Sequence, residues 1–263
     1  MNQIIKLDLF SFSLVYLLLI IVLLIMKKAK VNQTKLLLVA SIRMSLQLVL
    51  AGYVLLFIFE NPNPITTMLY FSSIVGFAIH RVLSRNKWLN REFKYIIGLT
   101  IALSGFSIVA FFVLVVVKTN LFNPQYLIPL SGMIVGNSMT GLNLGLKSFK
   151  DSMESQRPRI ETLLNLGVKP IDILIPISNN ALETALLPTL NSMLGMGIVS
   201  LPGMMTGQIL SGTVPTTAIV YQIAIMISIT TVVSLTVFIT LFFGVRTLIN
   251  KRQQIELITA NRH

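Results

Sequence analysis

The chain has 263 residues and a net charge of +12, yet only 11% of its residues are charged and 54% are apolar. Soluble domains average about 25% charged residues, so an ordinary water-soluble fold is excluded. The mean hydropathy of +0.80 and the long, nearly uncharged runs, each able to cross a hydrocarbon core of about 30 Å, predict an all-α, polytopic membrane protein. The absence of cysteine also excludes disulfides and thiolate metal sites.

Seven apolar segments predict seven transmembrane helices in a single domain, residues 1–263. The segments are residues 9–26, 36–59, 65–83, 96–117, 127–146, 171–199 and 215–244. The first lacks a preceding basic region and a small-residue cleavage site, which favours a retained span over a signal peptide. The sixth contains residues that predict breaks in its helix, namely Pro176, Pro188, Gly195 and Gly197.

The basic residues are concentrated in alternate loops. Eighteen of them lie in residues 27–35, 81–94, 147–169 and the C-terminal tail, whereas the opposite set of loops holds only Lys6 and Lys118. Because cytoplasmic loops carry the excess of Lys and Arg, this count predicts an outer N-terminus and an inner C-terminus. The positive charge therefore reflects membrane topology, and we expect no nucleic acid partner.

The chain contains no motif that converts energy. The nearest match to a phosphate-binding P-loop, residues 141–148, has the wrong spacing and follows no strand. We expect the chain not to be an enzyme, because Ser138 has no histidine partner within the membrane. Two energy sources for transport are left open. One is an ion gradient, and the other is a separate subunit that hydrolyses nucleotide.

Glu183 is the one acidic residue inside a predicted span and away from its ends. Acidic groups in membrane segments often relay protons or cations, so Glu183 is a candidate ion site of a gradient-driven carrier. The alternative is that Glu183 lies near the inner interface and faces water or a partner. In the second span, Arg43 and Gln47 share a helix face. Arg43 either extends to the cytoplasmic interface or lines a transport pathway with Gln47.

Three pairs of glycines have the four-residue spacing that lets helices approach closely. The pairs are Gly132 with Gly136, Gly141 with Gly145, and Gly203 with Gly207. Polar residues are interleaved with these glycines, so a polar path can run beside the packed helices. Asn137 and Gln208 are candidate residues of this path.

Soft ligand atoms occur in the segment that follows the sixth span. Met204, Met205 and Gln208 offer thioether and amide donors, and such soft donors suit copper(I) better than iron. They predict a weak transit site at most, and the metal ligands are unknown from sequence.

The charged stretch 147–176 separates the fifth and sixth spans. Residues 161–166 predict an amphipathic helical turn that ends at Gly167, and Lys169 and Pro170 begin the next segment. The pattern is similar to the Glu-Ala-Ala…Gly…Pro coupling loop of ABC permeases, although its Gly-to-Pro spacing is shorter. This similarity implies docking on an ATPase, with Glu161, Gly167, Lys169 and Pro170 as the docking residues.

Three sequence blocks resemble one known family: GMIVGNSM at 132–139, ALLPT at 185–189, and VSLPGMMTG at 199–207, which precedes Tyr221-Gln222. The chain resembles the Fet iron-export permease family, which includes plant proteins linked to aluminium tolerance, over nearly its whole length. Arg43 and Gln47 match the second-span pattern of that family.

The resemblance implies a multi-pass permease subunit of the inner (plasma) membrane that exports metal ions, with iron as the first candidate. It implies a homodimer of permeases paired with ABC ATP-binding subunits, which bind ATP and Mg²⁺, while this chain binds no cofactor. We expect the turn at residues 203–207 to act as a gate or a packing hinge. A gradient-driven secondary ion transporter and an ABC importer permease are the alternatives.

Overall fold

In the computed structural model, the described residues, 8–250 and 254–255, form nine α-helices and no β-strand. The helices are α1 (Leu9–Lys28), α2 (Thr34–Glu60), α3 (Pro64–Arg85), α4 (Arg91–Phe111), α5 (Pro124–Ser155), α6 (Arg157–Asn165), α7 (Pro170–Gly195), α8 (Gly203–Leu210) and α9 (Pro215–Gly244). A π-helical turn, Phe112–Val116, continues α4, and a 3-10 turn, Val245–Leu248, follows α9. The all-α prediction is confirmed for this part of the chain. Lys6 and the basic residues after 250, which entered the topology count, lie outside it.

Helix starts follow local capping chemistry. The side-chain oxygens of Asn63, Asn90 and Asn123 accept hydrogen bonds from backbone N–H groups in the first turns of α3, α4 and α5. Such caps satisfy N–H groups that lack a partner within the helix. Proline occupies the first turn of α3, α5, α6, α7 and α9, where its missing N–H costs nothing. These signals place the helix starts at or slightly before the positions expected from hydropathy.

Five helical segments are long and apolar enough to cross a membrane. They are Phe10–Lys28, Thr34–Glu60, Pro64–Arg85, Arg91–Val116 and Pro215–Leu248, which correspond to predicted spans one to four and seven. Helices α5 and α7, with 32 and 26 residues, are also long enough at about 1.5 Å per residue, but they are more polar. Helix α5 packs against α3, α4, α7 and α9, so much of its surface is sheltered by protein.

Helices α3, α4, α5, α7 and α9 share one hydrophobic core. Its largest fully buried side chains include Phe93, Phe112, Phe149, Leu142 and Leu146. Helices α1 and α2 lie at the edge of this bundle and contact each other, for example through the hydroxyls of Tyr16 and Ser45, which are 2.6 Å apart. Their apolar side chains are mostly exposed, as expected for helices that face lipid.

Three local predictions need correction. Helix α7 runs without a break through Pro176 and Pro188 and ends at Gly195. Each proline removes one backbone hydrogen bond, and helices in membrane bundles tolerate such a loss. Helix α5 continues beyond residue 146 to Ser155, with Lys150 and Glu154 paired one turn apart. Residues 203–210 form helix α8 rather than a turn.

Candidate transport pathway and coupling helix

Helices α5, α7 and α9 line an open cavity of about 270 Å³. The middle of α5, the second half of α7 and the first half of α9 supply most of its wall. Met196, just after α7, and Pro202, just before α8, complete it. The lining combines neutral polar, thioether and small apolar side chains: Met133, Asn137, Thr140, Gly141, Leu144, Ala185, Pro188, Thr189, Ser192, Met196, Pro202, Gln222, Met226 and Ile229. We call this space the α5–α7–α9 cavity.

Gln222 is the most deeply buried polar residue in the wall of this cavity. Its side chain is 4% exposed, and its Nε2 lies 3.8 Å from Sδ of Met196. Within the described residues, its Oε1 accepts no hydrogen bond. A buried amide oxygen without a partner is costly unless water, an ion or a ligand satisfies it. Gln222 therefore places beside the cavity a buried hydrogen-bond acceptor that no described residue satisfies.

The donor set of the cavity is neutral. Met133, Met196 and Met226 contribute three thioethers, and the remaining polar groups are amides and hydroxyls. Among the residues that the structure describes, no group of three or more His, Cys, Asp or Glu side chains could hold a metal ion. Neutral amide, hydroxyl and thioether groups bind divalent ions weakly compared with carboxylate or imidazole cages. The arrangement suits transient passage rather than tight retention.

One glycine pair draws the three helices together beside the cavity. A methyl group at Gly141 would lie 2.5 Å from Cγ1 of Val233 on α9, and one at Gly145 would lie 3.3 Å from Cβ of Ala185 on α7. The methyl group would clash at Gly141, and at Gly145 its neighbours would have to shift by a few tenths of an ångström, so both positions favour glycine. The packing prediction is confirmed for this pair.

The packing prediction is wrong, within one chain, for the other two pairs. A methyl group at Gly132, Gly136, Gly203 or Gly207 would meet no other atom within 4 Å. The reason is position: the first pair lies on the open side of α5, and α8 contacts α9 through its other face, where Met205 is buried.

The candidate pathway residues fall into separate places. Asn137 lines the α5–α7–α9 cavity. Arg43 and Gln47 are exposed on α2 and do not line it; the Arg43 guanidinium is 5.9 Å from the ring centre of Phe77 on α3. Glu183 is exposed on α7, on the side opposite Ala181 and Ala185, because two residues turn a helix by about 200°.

Helix α8 carries the remaining pathway candidates beside the cavity without placing them in its wall. Met205 is buried, Met204 packs against the core, and Gln208 is half-buried. No pattern in the sequence predicted the group formed by Gln222, Met133, Met196 and Met226. The available signal was that Gln222 is the lone amide in the apolar helix α9, but its pairing with Met196 depends on tertiary packing.

Helix α6 is a short, sharply terminated helix between α5 and α7. The N–H of Gly167 donates to the carbonyl of Leu164, and that of Val168 donates to the carbonyl of Leu163. These paired bonds form a Schellman motif, which requires the left-handed φ of +80° at Gly167. Lys169 then caps α7, and Pro170 is its first residue. The predicted end at Gly167 and restart at Pro170 are confirmed as local structure.

The two faces of α6 differ. Ile160 is buried against the core, which fixes the helix to the bundle. Leu166, at the far end, is 74% exposed. The Arg157 guanidinium donates to the Glu161 carboxylate at 2.8 Å, and both side chains are more than half exposed. Such a surface ion pair adds little stability, so Glu161 stays accessible to a partner.

Among the described residues, five helical segments are long and apolar enough to cross a membrane, which is the pattern of a multi-pass membrane protein. The model of the Uncharacterised protein family UPF0014 matches residues 9–249, and the chain belongs to this family. It is 31% identical to the probable iron export permease protein FetB of Escherichia coli over 245 residues, 93% of each chain.

Two further relatives extend the comparison. The chain is 33% identical over 219 residues to the UPF0014 membrane protein YjkA of Bacillus subtilis, covering 83% of this chain and 86% of the relative. It is 39% identical over 184 residues to the protein ALUMINUM SENSITIVE 3 of Arabidopsis thaliana, covering 70% and 66%. No solved structure matches the chain. The resemblance drawn from the LPGMMTG and neighbouring blocks is confirmed.

Proposed function

We propose that the chain is the transmembrane subunit of a heteromeric ABC transporter that exports metal ions, with iron as the first candidate. Two copies form the permease, and two separate ATP-binding subunits bind ATP and Mg²⁺ and hydrolyse the nucleotide. The chain itself is not an enzyme in this proposal. The name of the Escherichia coli relative supplies the cargo and the direction.

The observation that carries the proposal is helix α6. The chain has no P-loop of its own, so a driven permease needs a rigid element that reaches the motor. Helix α6 is anchored by Ile160, ended rigidly at Gly167, and exposes Leu166 at its tip. In this proposal, Leu166 and the exposed charges of α6 form the surface that docks on the ATP-binding subunit. Movement at α6 would pass directly into α5 and α7, between which it lies.

The open side of α5 supports the homodimer. Gly132, Gly136, Asn137 and Thr140 lie along one side of the helix, and Asn137 and Thr140 are exposed. Each of the two polar side chains bonds only a carbonyl of its own helix. Facing them to lipid would leave their remaining polar capacity unsatisfied, which is unfavourable in hydrocarbon. A second copy, with the pathway between the copies, covers this surface.

We place seven spans in the inner (plasma) membrane: α1 to α5, α7 and α9. The excess of basic residues in alternate loops supports an outer N-terminus and an inner C-terminus. Helix α6 and the last turns of α5 then lie in the cytoplasm. The α5–α7–α9 cavity lies toward the outer side, within one transmembrane permease domain.

Substitution of Leu166 tests the docking role. Leu166→Asp removes the exposed apolar tip without touching the core, and we expect loss of co-purification with a co-expressed ATP-binding subunit. Val31→Asp is the matched control, because Val31 is also an exposed apolar residue, at 42%, in the basic loop between α1 and α2. Retained binding by Leu166→Asp would contradict docking through α6.

One observation favours a second function. The exposed Glu183 carboxylate lies about 20 Å along α7 from Pro170, deep enough to serve a gradient-driven carrier. In that case Glu183→Gln abolishes pH-driven ion uptake by the purified chain alone. In the ABC proposal, the chain alone transports nothing, and Glu183 faces the second copy.

A further inference from the structure

A cleft of about 590 Å³ separates the end of α3 from the later part of α5. Four cationic side chains line it, Arg81, Arg85, Lys147 and Lys150, against one carboxylate, Asp151. The lining therefore has a formal excess of positive charge. The α5–α7–α9 cavity shares Thr140 and Leu144 with this cleft, but its lining contains no charged side chain.

Protein carboxylates neutralise this cluster only in part. Within the described residues, Arg81, Arg85 and Lys147 take part in no salt bridge, and Lys150 pairs with Glu154 at 3.6 Å with both side chains partly exposed. Like charges held close together without counter-charges repel one another. A bound anion would remove that repulsion and satisfy several donors at once.

The walls of the cleft are fixed in place. Nδ2 of Asn86, at the end of α3, donates to Oδ1 of Asn143 on α5 at 3.1 Å and to the carbonyl of Val82 at 2.9 Å. Asn86 is only 5% exposed, so this bond is shielded from water. A buried bridge between the two helices holds the cationic side chains in a preformed cleft.

The cleft is apolar at one end and cationic at the other. Met139 and Leu144 line it within the proposed fifth span, and Lys147 and Lys150 line it beyond the span. The distance along α5 from Met139 to Lys150 is about 16 Å. Trp88, also in the wall, is a residue type enriched at membrane interfaces. A ligand that fits has an anionic head and an apolar tail.

We propose that this cleft binds an anionic phospholipid of the inner leaflet, with the phosphate on the four cations and the upper acyl chain along Met139 and Leu144. The assignment rests on the proposed topology, which puts the end of α3 at the cytoplasmic surface. Basic pockets between transmembrane helices on this side of a membrane bind anionic headgroups in this way. The apolar end distinguishes a lipid from a free phosphate or an acidic protein surface.

Native mass spectrometry of the purified chain, without any ATP-binding subunit, tests the proposal. The chain is equilibrated in micelles with equal amounts of phosphatidylglycerol and phosphatidylcholine, and retained lipid is counted. We expect selective retention of phosphatidylglycerol. In the double variant Arg81→Gln and Arg85→Gln, we expect about fivefold weaker retention for each cation removed, hence about 25-fold for the pair.

Matched controls keep the outcome clear. Lys27→Gln with Lys28→Gln removes two basic residues at the end of α1, on the same proposed side but outside the cleft, and retention should not change. If the arginine variant does not fold, Lys147→Gln with Lys150→Gln replaces it. Equal retention by wild type and a folded cleft variant overturns the proposal.

Two other outcomes would give the cleft to a different ligand. Displacement of the lipid by millimolar inorganic phosphate would assign it to a soluble phosphate and overturn the lipid assignment. Unchanged lipid retention together with lost binding of an ATP-binding subunit would assign it to that subunit. Lipid retention is measured on the isolated chain and does not require an ATP-binding subunit. The lipid proposal can therefore be tested even if the ABC transporter proposal fails.

Discussion

Gly167→Ala isolates the contribution of the α6 terminus to coupling. Gly167 has a φ of +80°, and no other atom lies within 4 Å of the position that a Cβ would occupy. The substitution therefore creates no clash and removes no side-chain contact. Its whole effect comes from forcing an L-residue into the left-handed region.

That strain is worth about 1–2 kcal/mol. If it is relieved by unwinding the last turn of α6, the docking-competent population falls by at most about 5- to 30-fold, the limit reached where the unwound form is the major one. Leu166, the exposed tip residue, is adjacent and loses its fixed position. We expect the affinity for the ATP-binding subunit, and the transport-coupled ATPase rate at limiting subunit, to fall by the same factor.

Gly167→Asn is the control, because asparagine tolerates the left-handed region far better than alanine. Affinity is measured by titrating the purified ATP-binding subunit onto the permease in nanodiscs. The expected order is glycine, then asparagine, then alanine. Equal affinity for all three variants would refute the view that the rigid end of α6 sets the docking surface.

Three further substitutions test the packing and the pathway. Gly141→Ala places a methyl group 2.5 Å from Val233 and should destabilise the fold by about 1–3 kcal/mol, measured as thermal unfolding through Trp88 fluorescence. Gly132→Ala is the control and should not destabilise the fold. Equal melting temperatures of the two variants would contradict the close packing at Gly141. Gly136→Ile should abolish the dimer in mass photometry. The monomer should stay folded, because the side of α5 that carries Gly136 is open within one chain. A persistent dimer would exclude this side of α5 as the dimer interface. Gln222→Leu removes the unpartnered buried oxygen, so the stability of the fold should stay unchanged or rise. Iron transport should fall at least tenfold. Normal iron transport would show that the cavity is not part of the transport pathway.

Helix positions were largely predictable because apolar runs and capping residues are local features. Asn63, Asn90 and Asn123 mark three helix starts, and Gly167 marks an end. The continuity of α7 through Pro176 was not predictable, since compensation for the lost hydrogen bond comes from neighbouring helices. The extension of α5 past residue 146 was missed because hydropathy detects the membrane boundary and not the helix end.

The site was predictable only in part. Asn137 was a candidate on the basis of its polar character in an apolar span, and it lines the α5–α7–α9 cavity. The approach of Gln222 to Met196 joins residues from different helices, so no spacing rule reveals it. Likewise, the identical spacing of the glycine pairs conceals that Gly141 is tightly packed and Gly203 is open.

Transport into inverted membrane vesicles tests the central claim most directly. Vesicles that hold this chain with its ATP-binding subunit are compared with vesicles that hold either alone, with ATP or its non-hydrolysable analogue, and with a pH gradient present or collapsed. The account predicts iron uptake that needs both subunits and ATP hydrolysis and persists when the gradient is collapsed. Iron uptake by this chain alone, driven by the gradient without ATP, would contradict it.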